Sequence, residues 1–249
     1  MFKKNINLIR KNIVKFLILN YPNCNIKREN LSLLNEGKFA NATVFRYKDK
    51  NLDLTIKDFS GSPWLVRKTF GKLFINLEYN NLVKLSNNPS IAKNPKKLSE
   101  CTLAFGFIEG KALKFFPKSS IEKDFFLKLE KNVKAMHSKN IVHLDLRNLG
   151  NILVGKDGHP YIIDFQSAIS TKYLGSWLSK ILKTSDLTGV YKCWNNRCTE
   201  PLDEKRSNIL TEFNKLRKVW IFRGYPLSRA LKKIKEFIYQ KKWGCCKFK

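Results

Sequence analysis

The sequence predicts a mixed α and β fold in which strands come first and helices dominate the second half. Apolar residues alternate with polar ones over 31–59, which is typical of strands. From 121 to 138 the apolar residues recur at helical spacing. Two short β-rich runs at 151–154 and 161–163 flank the turn Gly155-Lys156-Asp157-Gly158, which predicts a β-hairpin. Strands followed by helices indicate an α+β protein.

Residues 1–30 form the first predicted segment, and 1–20 have the pattern of a basic amphipathic helix. Its apolar positions recur at near-helical spacing with five lysines and arginines among them; they are Ile6, Ile9, Ile13, Phe16 and Leu17. Two interpretations stay open: the apolar stripe packs on the rest of the domain, or it lies on anionic lipid. Tyr21-Pro22-Asn23 ends the helix.

Three strands are predicted next, at Leu33-Leu34, Thr43–Tyr47 and Leu52–Lys57. Apolar residues from Leu65 to Leu85 then recur at helical spacing, with Gly71 as a possible break. A further buried strand is predicted at 101–108.

The second half is predicted to be mainly helical. Ser119 and Glu122 have the spacing of a capping box that opens the helix ending near Ser138. Helical spacing returns at Leu174–Leu182 and at Ile209–Trp220, with Asp186–Trp194 as the predicted connection between them.

Polar residues stand at the mouth of the predicted hairpin. Asp145 and Asn151 precede or open its first strand, and Asp164 closes its second. The hairpin would bring two carboxylates and an amide to one end. These oxygen ligands suit a magnesium ion that carries the phosphates of a nucleotide.

These residues, together with His143 and Phe165, resemble the catalytic and metal loops of the protein-kinase-like superfamily. The closer likeness is to its small bacterial branch, the RIO-like and lipopolysaccharide-core (Kdo/heptose) kinases. The resemblance implies a two-lobed protein-kinase-like fold with an N-lobe at 31–108 and a reduced, mostly helical C-lobe at 109–204. ATP would lie between the lobes.

The resemblance also implies roles for the loop residues. Asp145 would accept the proton of the substrate hydroxyl, and Arg147 would replace the lysine that faces phosphate in the family. Asn151 and Asp164 would hold Mg²⁺. Asn151 lies six residues after Asp145, where the family has five, and Gln166 replaces the glycine of Asp-Phe-Gly. No Ala-Pro-Glu follows, which argues against a regulated activation segment.

In the N-lobe, the resemblance implies a nucleotide-binding set. Lys57 would contact the α- and β-phosphates, and a lysine on the buried side of a strand needs a carboxylate partner. Glu78, the only acid between Asp58 and Glu100, would be that partner.

The remaining nucleotide contacts follow the same resemblance. Gly37, Phe39 and Ala42, followed by Val44, would match the glycine loop, in which backbone N–H groups approach phosphate oxygens. Backbone groups near Phe105, Gly106 and Phe107 would meet the adenine edge.

The chain is strongly basic, with a formal net charge of +28 over 249 residues. Such a charge favours anionic partners such as nucleic acid or an acidic membrane leaflet, although a lysine-rich proteome would produce it as well. Residues 205–249 contain 14 Lys and Arg but only two acids, Glu212 and Glu236. The apolar face of 227–238 predicts a basic amphipathic helix there, either on lipid or packed in the C-lobe.

The six cysteines have no common zinc spacing and are interpreted as free thiols in a reducing cytosol. No stretch approaches the roughly 20 apolar residues of a membrane span. The predicted location is cytoplasmic, including the inner face of the cytoplasmic membrane.

The sequence leaves three functions open. The first is an ATP- and Mg²⁺-dependent kinase of a lipopolysaccharide-core sugar at the membrane surface. The second is a RIO-like serine/threonine protein kinase whose charge is directed at RNA or an acidic protein. The third is a non-catalytic pseudokinase that binds a nucleotide or a nucleic acid.

Overall fold

The computed structural model describes residues 5–37, 41–64 and 67–219. The predicted positions of Phe39, Leu65 and the helix at 227–238 lie outside these residues. The chain divides into two compact units, residues 1–202 and 203–249.

The first unit begins with helix α1, Ile6–Asn20, which packs on a five-stranded antiparallel sheet. The sheet has the order β1-β2-β3-β5-β4, formed by Leu31–Asn35, Thr43–Lys48, Asp53–Asp58, Thr102–Gly106 and Lys96–Ser99. Ile9, Ile13 and Leu17 of α1 are buried in one cluster with Phe45 and Tyr47 of β2. The apolar stripe of α1 therefore covers the sheet, as the packing interpretation predicted.

The segment between β3 and β4 carries the helix predicted there. A π-helical turn, Arg67–Gly71, leads into α2, Lys72–Lys84. The helical backbone continues through Gly71 and changes there from π to α hydrogen bonding, so the glycine marks a change of helix type.

The hairpin prediction is confirmed. Strands β8, Ile152–Gly155, and β9, Pro160–Ile162, pair antiparallel with Ile152 opposite Ile162. Strand β6, Gly110–Ala112, adds to the other edge of β8. Two further short strands, β7, Ile141–Val142, and β10, Ile169–Ser170, pair with each other on either side of the predicted catalytic and metal loops.

Helix α3, Lys123–Ser138, starts two residues later than predicted, and the capping box is wrong. Glu122 is the N-cap residue and makes no side-chain cap bond, while Ser119 has φ of 52°. The reason is tertiary: Ser120 and Ile121 donate their N–H groups to the Arg197 carbonyl at 2.9 Å. These bonds hold the chain extended where the capping box needed a helix.

The prediction of a connection at Asp186–Trp194 is also wrong, because helix α4 runs without interruption from Ser176 to Arg197. Asp, Thr and Gly disfavour helix interiors, yet Asp186, Thr188 and Gly189 are buried against the loop that follows β7. Tertiary packing overrides local propensity at this point.

The second unit begins with helix α5, Glu204–Val219, which the spacing predicted at 209–220. No helix within the described ranges is both long and apolar enough to span a bilayer.

Candidate active site

A cavity of about 450 Å³ lies between the five-stranded sheet and the β6-β8-β9 sheet. Both sheets and α2 contribute to its walls. The lining includes predicted site residues from each part of the chain: Val44, Lys57, Glu78, Phe105, Phe107, Asn151 and Asp164. Residues from position 44 to position 164 are therefore brought together around one space.

Lys57 bridges two carboxylates at the inner end of this cavity. Its Nζ donates to Glu78 Oε1 at 2.7 Å and to Asp164 Oδ1 at 3.0 Å. Burial lowers the pKa of Lys57, but the two carboxylates outweigh it, so the pKa is raised above its ordinary value. The ammonium is charged at every physiological pH.

The pKa values of the two carboxyl groups, Glu78 and Asp164, shift in opposite directions. Burial raises the pKa of Glu78, and Lys57 offsets this only in part. Burial also opposes ionisation of Asp164, but the Lys57 ammonium overcomes it and lowers the pKa of Asp164 below its ordinary value. Asp164 is therefore ionised at neutral pH, with its side chain 42% exposed, and its oxygen atoms could bind a cation.

The loop from His143 to Asn151 contains one residue more than the family pattern, and a short turn absorbs it. Asn148 Oδ1 accepts from the Gly150 N–H at 3.0 Å, and a 3₁₀ turn follows at Leu149–Asn151. Asn151 returns to Asp145, donating Nδ2 to its Oδ2 at 2.9 Å and to its carbonyl at 3.2 Å. The side-chain nitrogen of Asn151 is thus used on Asp145, while its amide oxygen accepts a long bond from Asn148 Nδ2 at 3.4 Å and has a second lone pair with which to bind a metal ion.

His143 connects the two loops. Its Nε2 donates to the Ile163 carbonyl at 3.0 Å, and its Nδ1 accepts from the Asp145 N–H at 3.3 Å. This is the bonding of a neutral ring that carries its proton on Nε2. The ring packs edge-on against Phe165 at 4.8 Å. His143 thus joins the loop of Asp145 to the loop of Asp164.

Asp186 is a site residue that sequence reasoning missed. Its buried carboxylate accepts the backbone N–H groups of His143 at 2.7 Å and Leu144 at 2.8 Å, and contacts His137 Nε2 at 3.1 Å. Leu144 has φ of 65°, an unfavourable conformation for leucine. Asp186 therefore holds the loop in a strained form. The signal was available, because Asp186 is the only acid between Asp164 and Glu200.

Arg147 contacts α4 and is not among the residues that line the cavity. Its guanidinium donates to Thr188 Oγ1 at 3.3 Å, and its carbonyl accepts from Lys192 Nζ at 3.4 Å.

Gly37 and Ala42 border the loop between β1 and β2. Gly37 has φ of 67°, and a Cβ there would lie 2.2 Å from the Ala42 carbonyl oxygen. Only glycine fits this position. Val44, on β2, lines the cavity.

Phe105 and Phe107 both line the cavity, but two of the backbone donors predicted to meet adenine are already engaged. The Gly106 N–H donates to the Lys93 carbonyl at 2.8 Å and the Phe107 N–H to the Asp53 carbonyl at 2.9 Å. Ile108 follows, lines the cavity, and makes no N–H hydrogen bond to any described residue.

Phe107 is held by side chains of β2 and β3. The Arg46 guanidinium lies 3.7 Å from the centroid of its ring and makes two bonds to Asp53, at 2.8 and 2.6 Å.

These residues have the chemistry that a magnesium nucleotide needs. Asp164 and Asn151 offer oxygen atoms, the donors that Mg²⁺ prefers, and Mg²⁺ commonly takes one or two protein ligands and fills the rest with phosphates and water. The Lys57 ammonium supplies charge for phosphate oxygens. Within the described ranges no cluster of three or more His, Cys, Asp or Glu side chains could hold a metal by itself.

An antiparallel sheet joined to a helical part, with this lysine–glutamate–aspartate arrangement between them, defines a protein-kinase-like fold. Residues 38–206 match the RIO domain family. The chain belongs to that family.

Similarity to curated proteins is more distant. Over 150 residues, 56% of this chain, it is 30% identical to cyclin-dependent kinase-like 2 of Rattus norvegicus and of Mus musculus. The human protein of the same name is 29% identical over the same length. The matched part is 28%, 25% and 29% of these three proteins. The chain therefore spans under a third of the length of the curated relatives it matches.

Proposed function

We propose that this protein transfers the γ-phosphoryl group of ATP to the hydroxyl of an acceptor. The observation that carries the proposal is Lys57, held between Glu78 and Asp164 at the end of a cavity of nucleotide size. A buried ammonium between two carboxylates is costly as a purely structural device. The charge of Lys57 would bind the phosphate oxygens of a nucleotide in the cavity.

Different residues of the site would bind the phosphates, the adenine and the magnesium ion. Lys57 would bind phosphate oxygens, and the N–H of Ile108, which lines the cavity, would donate to adenine. Asp164 and the amide oxygen of Asn151 would hold Mg²⁺, which neutralises charge on the phosphates. The cavity walls at Val44, Phe105 and Phe107 are apolar and suit a base.

Asp145 orients the acceptor. Its carboxylate is fixed by Asn151 Nδ2 at 2.9 Å, and it takes the hydroxyl proton as the acceptor oxygen bonds to the γ-phosphorus and the bond to the β-bridging oxygen breaks. ADP leaves. Positioning and charge neutralisation supply most of the catalysis in this chemistry.

The first candidate acceptor is a serine or threonine of a protein. Membership of the RIO domain family and the similarity to cyclin-dependent kinase-like 2 both support it. The lipopolysaccharide-core sugar that the sequence analysis put first has no counterpart in these comparisons, so it becomes the second candidate.

One surface of the protein supports the second candidate, an acceptor at the membrane. The outward side of α1 exposes Leu8, Ile18 and Leu19 by 51–67%, with the exposed Lys11 and Lys15 between them and no acid in the helix. A basic side with apolar residues suits anionic lipid. Sedimentation with anionic and neutral vesicles, before and after Lys11→Glu with Lys15→Glu, tests a peripheral location on the inner face of the cytoplasmic membrane.

The function is tested with labelled ATP and Mg²⁺, offering acceptor proteins, lipid-linked core sugars, or neither. Wild type should label one acceptor class, and Asp145→Ala should abolish the label while nucleotide affinity stays within about threefold. Asp164→Ala should lose both the transfer of label and the affinity for the nucleotide.

Nucleotide binding without transfer to any acceptor would favour the pseudokinase. Unchanged transfer by Asp145→Ala would refute the assignment of the base.

A further inference from the structure

The segments that surround the loop of Asp145 are basic and contain no acid. Residues 110–118, 146–156, 165–185 and 187–199 together hold ten Lys and Arg and no Asp or Glu. All four segments are described by the structure. The carboxylates between these segments are Glu122, Asp124 and Glu130 at the start of and within α3, Asp145, Asp157 in the hairpin turn, Asp164 and the buried Asp186.

Two lysines lie near this loop or near the strand that leads into it. Lys114 is next to Gly150 in the loop: its Cδ is 3.8 Å from where a Cβ of Gly150 would be. Lys172 follows β10, which pairs antiparallel with β7, the strand that leads into His143 and Asp145. The Thr171 N–H donates to the Asn140 carbonyl at 2.7 Å, so Lys172 lies beside the first end of β7, before the loop begins.

Each of these two lysines lies over an exposed aromatic ring. Lys114 Nζ is 4.7 Å from the ring centroid of Phe115, which is 60% exposed. Lys172 Nζ is 5.2 Å from that of Tyr173, which is 88% exposed. We call Lys114, Phe115, Lys172 and Tyr173 the basic rim.

The rim lysines differ from many other surface lysines of the chain. Lys72, Lys123, Lys128 and Lys156 each pair with a carboxylate at 2.7–3.0 Å. Within the described part of the chain, Lys114 and Lys172 pair with none. Their charge is therefore available to a partner, and both lysines are exposed.

We propose that the acceptor hydroxyl is carried on an acidic protein segment, with Asp or Glu on both sides of the accepting Ser or Thr. This inference rests on the proposed function and names its substrate class. Carboxylates before and after the acceptor would meet Lys114 beside Gly150 and Lys172 beside the first end of β7. Complementary charge steers association and excludes basic partners.

Single-stranded RNA is the competing anionic partner. RNA-binding surfaces of this kind stack bases on open aromatic faces. On the rim, one face of each ring is already covered by its lysine. The observations therefore favour carboxylates as the ligands.

The experiment compares three peptides of equal length, each with one central Ser flanked by Asp and Glu, by Ala and Gln, or by Lys and Arg. For wild type, kcat/KM on the acidic peptide should exceed that on the neutral one by about tenfold and that on the basic one by more. Lys114→Glu and Lys172→Glu should each raise KM for the acidic peptide about tenfold with little change in kcat. Equal kcat/KM for the acidic and neutral peptides would overturn the proposal and leave the proposed function standing.

Lys50→Glu, in the turn between β2 and β3, is the matched control, because it makes the same change of charge on an exposed lysine that belongs neither to the rim nor to the basic side of α1. It should leave the peptide preference unchanged. An equal loss in this variant would mean that overall charge, not the rim, attracts the peptide.

A binding measurement keeps the proposal testable if transfer is not seen. A fluorescent acidic peptide with Ser replaced by Ala should bind wild type and lose affinity in the two rim variants, as followed by anisotropy with and without single-stranded RNA. No binding of this peptide, or RNA binding that is tighter and lost in the same variants, would refute an acidic protein segment as the partner. MgATP binding measured in parallel separates a failure of the rim from a failure of the nucleotide site.

Discussion

Lys57 determines the charge balance of the site at the scale of single residues. Its ammonium is the shared partner of Glu78 and Asp164, which are 1% and 42% exposed at their side chains. The Oε2 atom of Glu78 is buried and accepts no hydrogen bond from the described residues. A buried carboxylate with one bonded oxygen depends on its counter-ion.

We expect Lys57→Met to destabilise the protein by about 3–5 kcal/mol, because it leaves the Glu78 carboxylate buried and uncompensated. Adding Glu78→Gln should recover most of the loss, since the amide carries no charge. Urea unfolding of the single and double variants measures both values. A double variant no more stable than Lys57→Met would show that the lost charge pairing is not the cause.

The same pair predicts a pH effect at Asp164. Its folded pKa lies below the ordinary value of 3.8 because Lys57 outweighs burial. The stability it contributes is therefore present above that ordinary value and is lost as the pH falls through the folded pKa. Lys57→Met should raise the pKa of Asp164, since burial is then unopposed. Carboxyl ¹³C chemical shifts over a pH series, assigned with Asp164→Asn, measure the change; an unaltered pKa would contradict it.

At the scale of elements, helix α4 positions the loop that carries Asp145. Asp186 binds the loop backbone at His143 and Leu144, and Gly189 lies where the helix meets the loop most closely. A Cβ on Gly189 would be 3.0 Å from the backbone of Leu146 and of Arg147. The low-propensity residues of α4 are thus the ones in contact with the loop.

Gly189→Ala should lower turnover by about 10- to 100-fold, because the loop that carries Asp145 has to move away from the helix. Nucleotide affinity should change little, since Lys57 and Asp164 lie elsewhere. Steady-state phosphate transfer and MgATP titration separate the two effects. Gly175→Ala is the matched control: a Cβ there meets nothing within 4 Å, so its turnover should equal that of wild type.

At the scale of the whole molecule, the cavity belongs to one unit. Every lining residue lies between Leu34 and Phe165, inside the unit of residues 1–202. Helix α1 also belongs to this unit, where it closes one face of the five-stranded sheet.

A chain of residues 1–202 should therefore unfold cooperatively and bind MgATP with a Kd within about threefold of the full chain. Calorimetric unfolding and MgATP titration of the two chains test this. A shorter chain that folds but does not bind the nucleotide would mean that residues 203–249 contribute to the site.

The sequence by itself determined much of the site. The hairpin follows from two β-rich runs and their turn. The pairing of Lys57 with Glu78 follows from the resemblance to protein kinases, together with the fact that Glu78 is the only acid between Asp58 and Glu100. These depend on short-range patterns and on composition, which a sequence contains directly.

Tertiary structure alone decided what depends on contacts between distant residues. The late start of α3 comes from bonds to the Arg197 carbonyl, and the unbroken α4 comes from packing against the catalytic loop. The return of Asn151 to Asp145 depends on a turn held by Asn148. In each case a contact outside the local segment changes the conformation that local propensity favours, and its free energy exceeds the few tenths of a kcal/mol that separate local propensities.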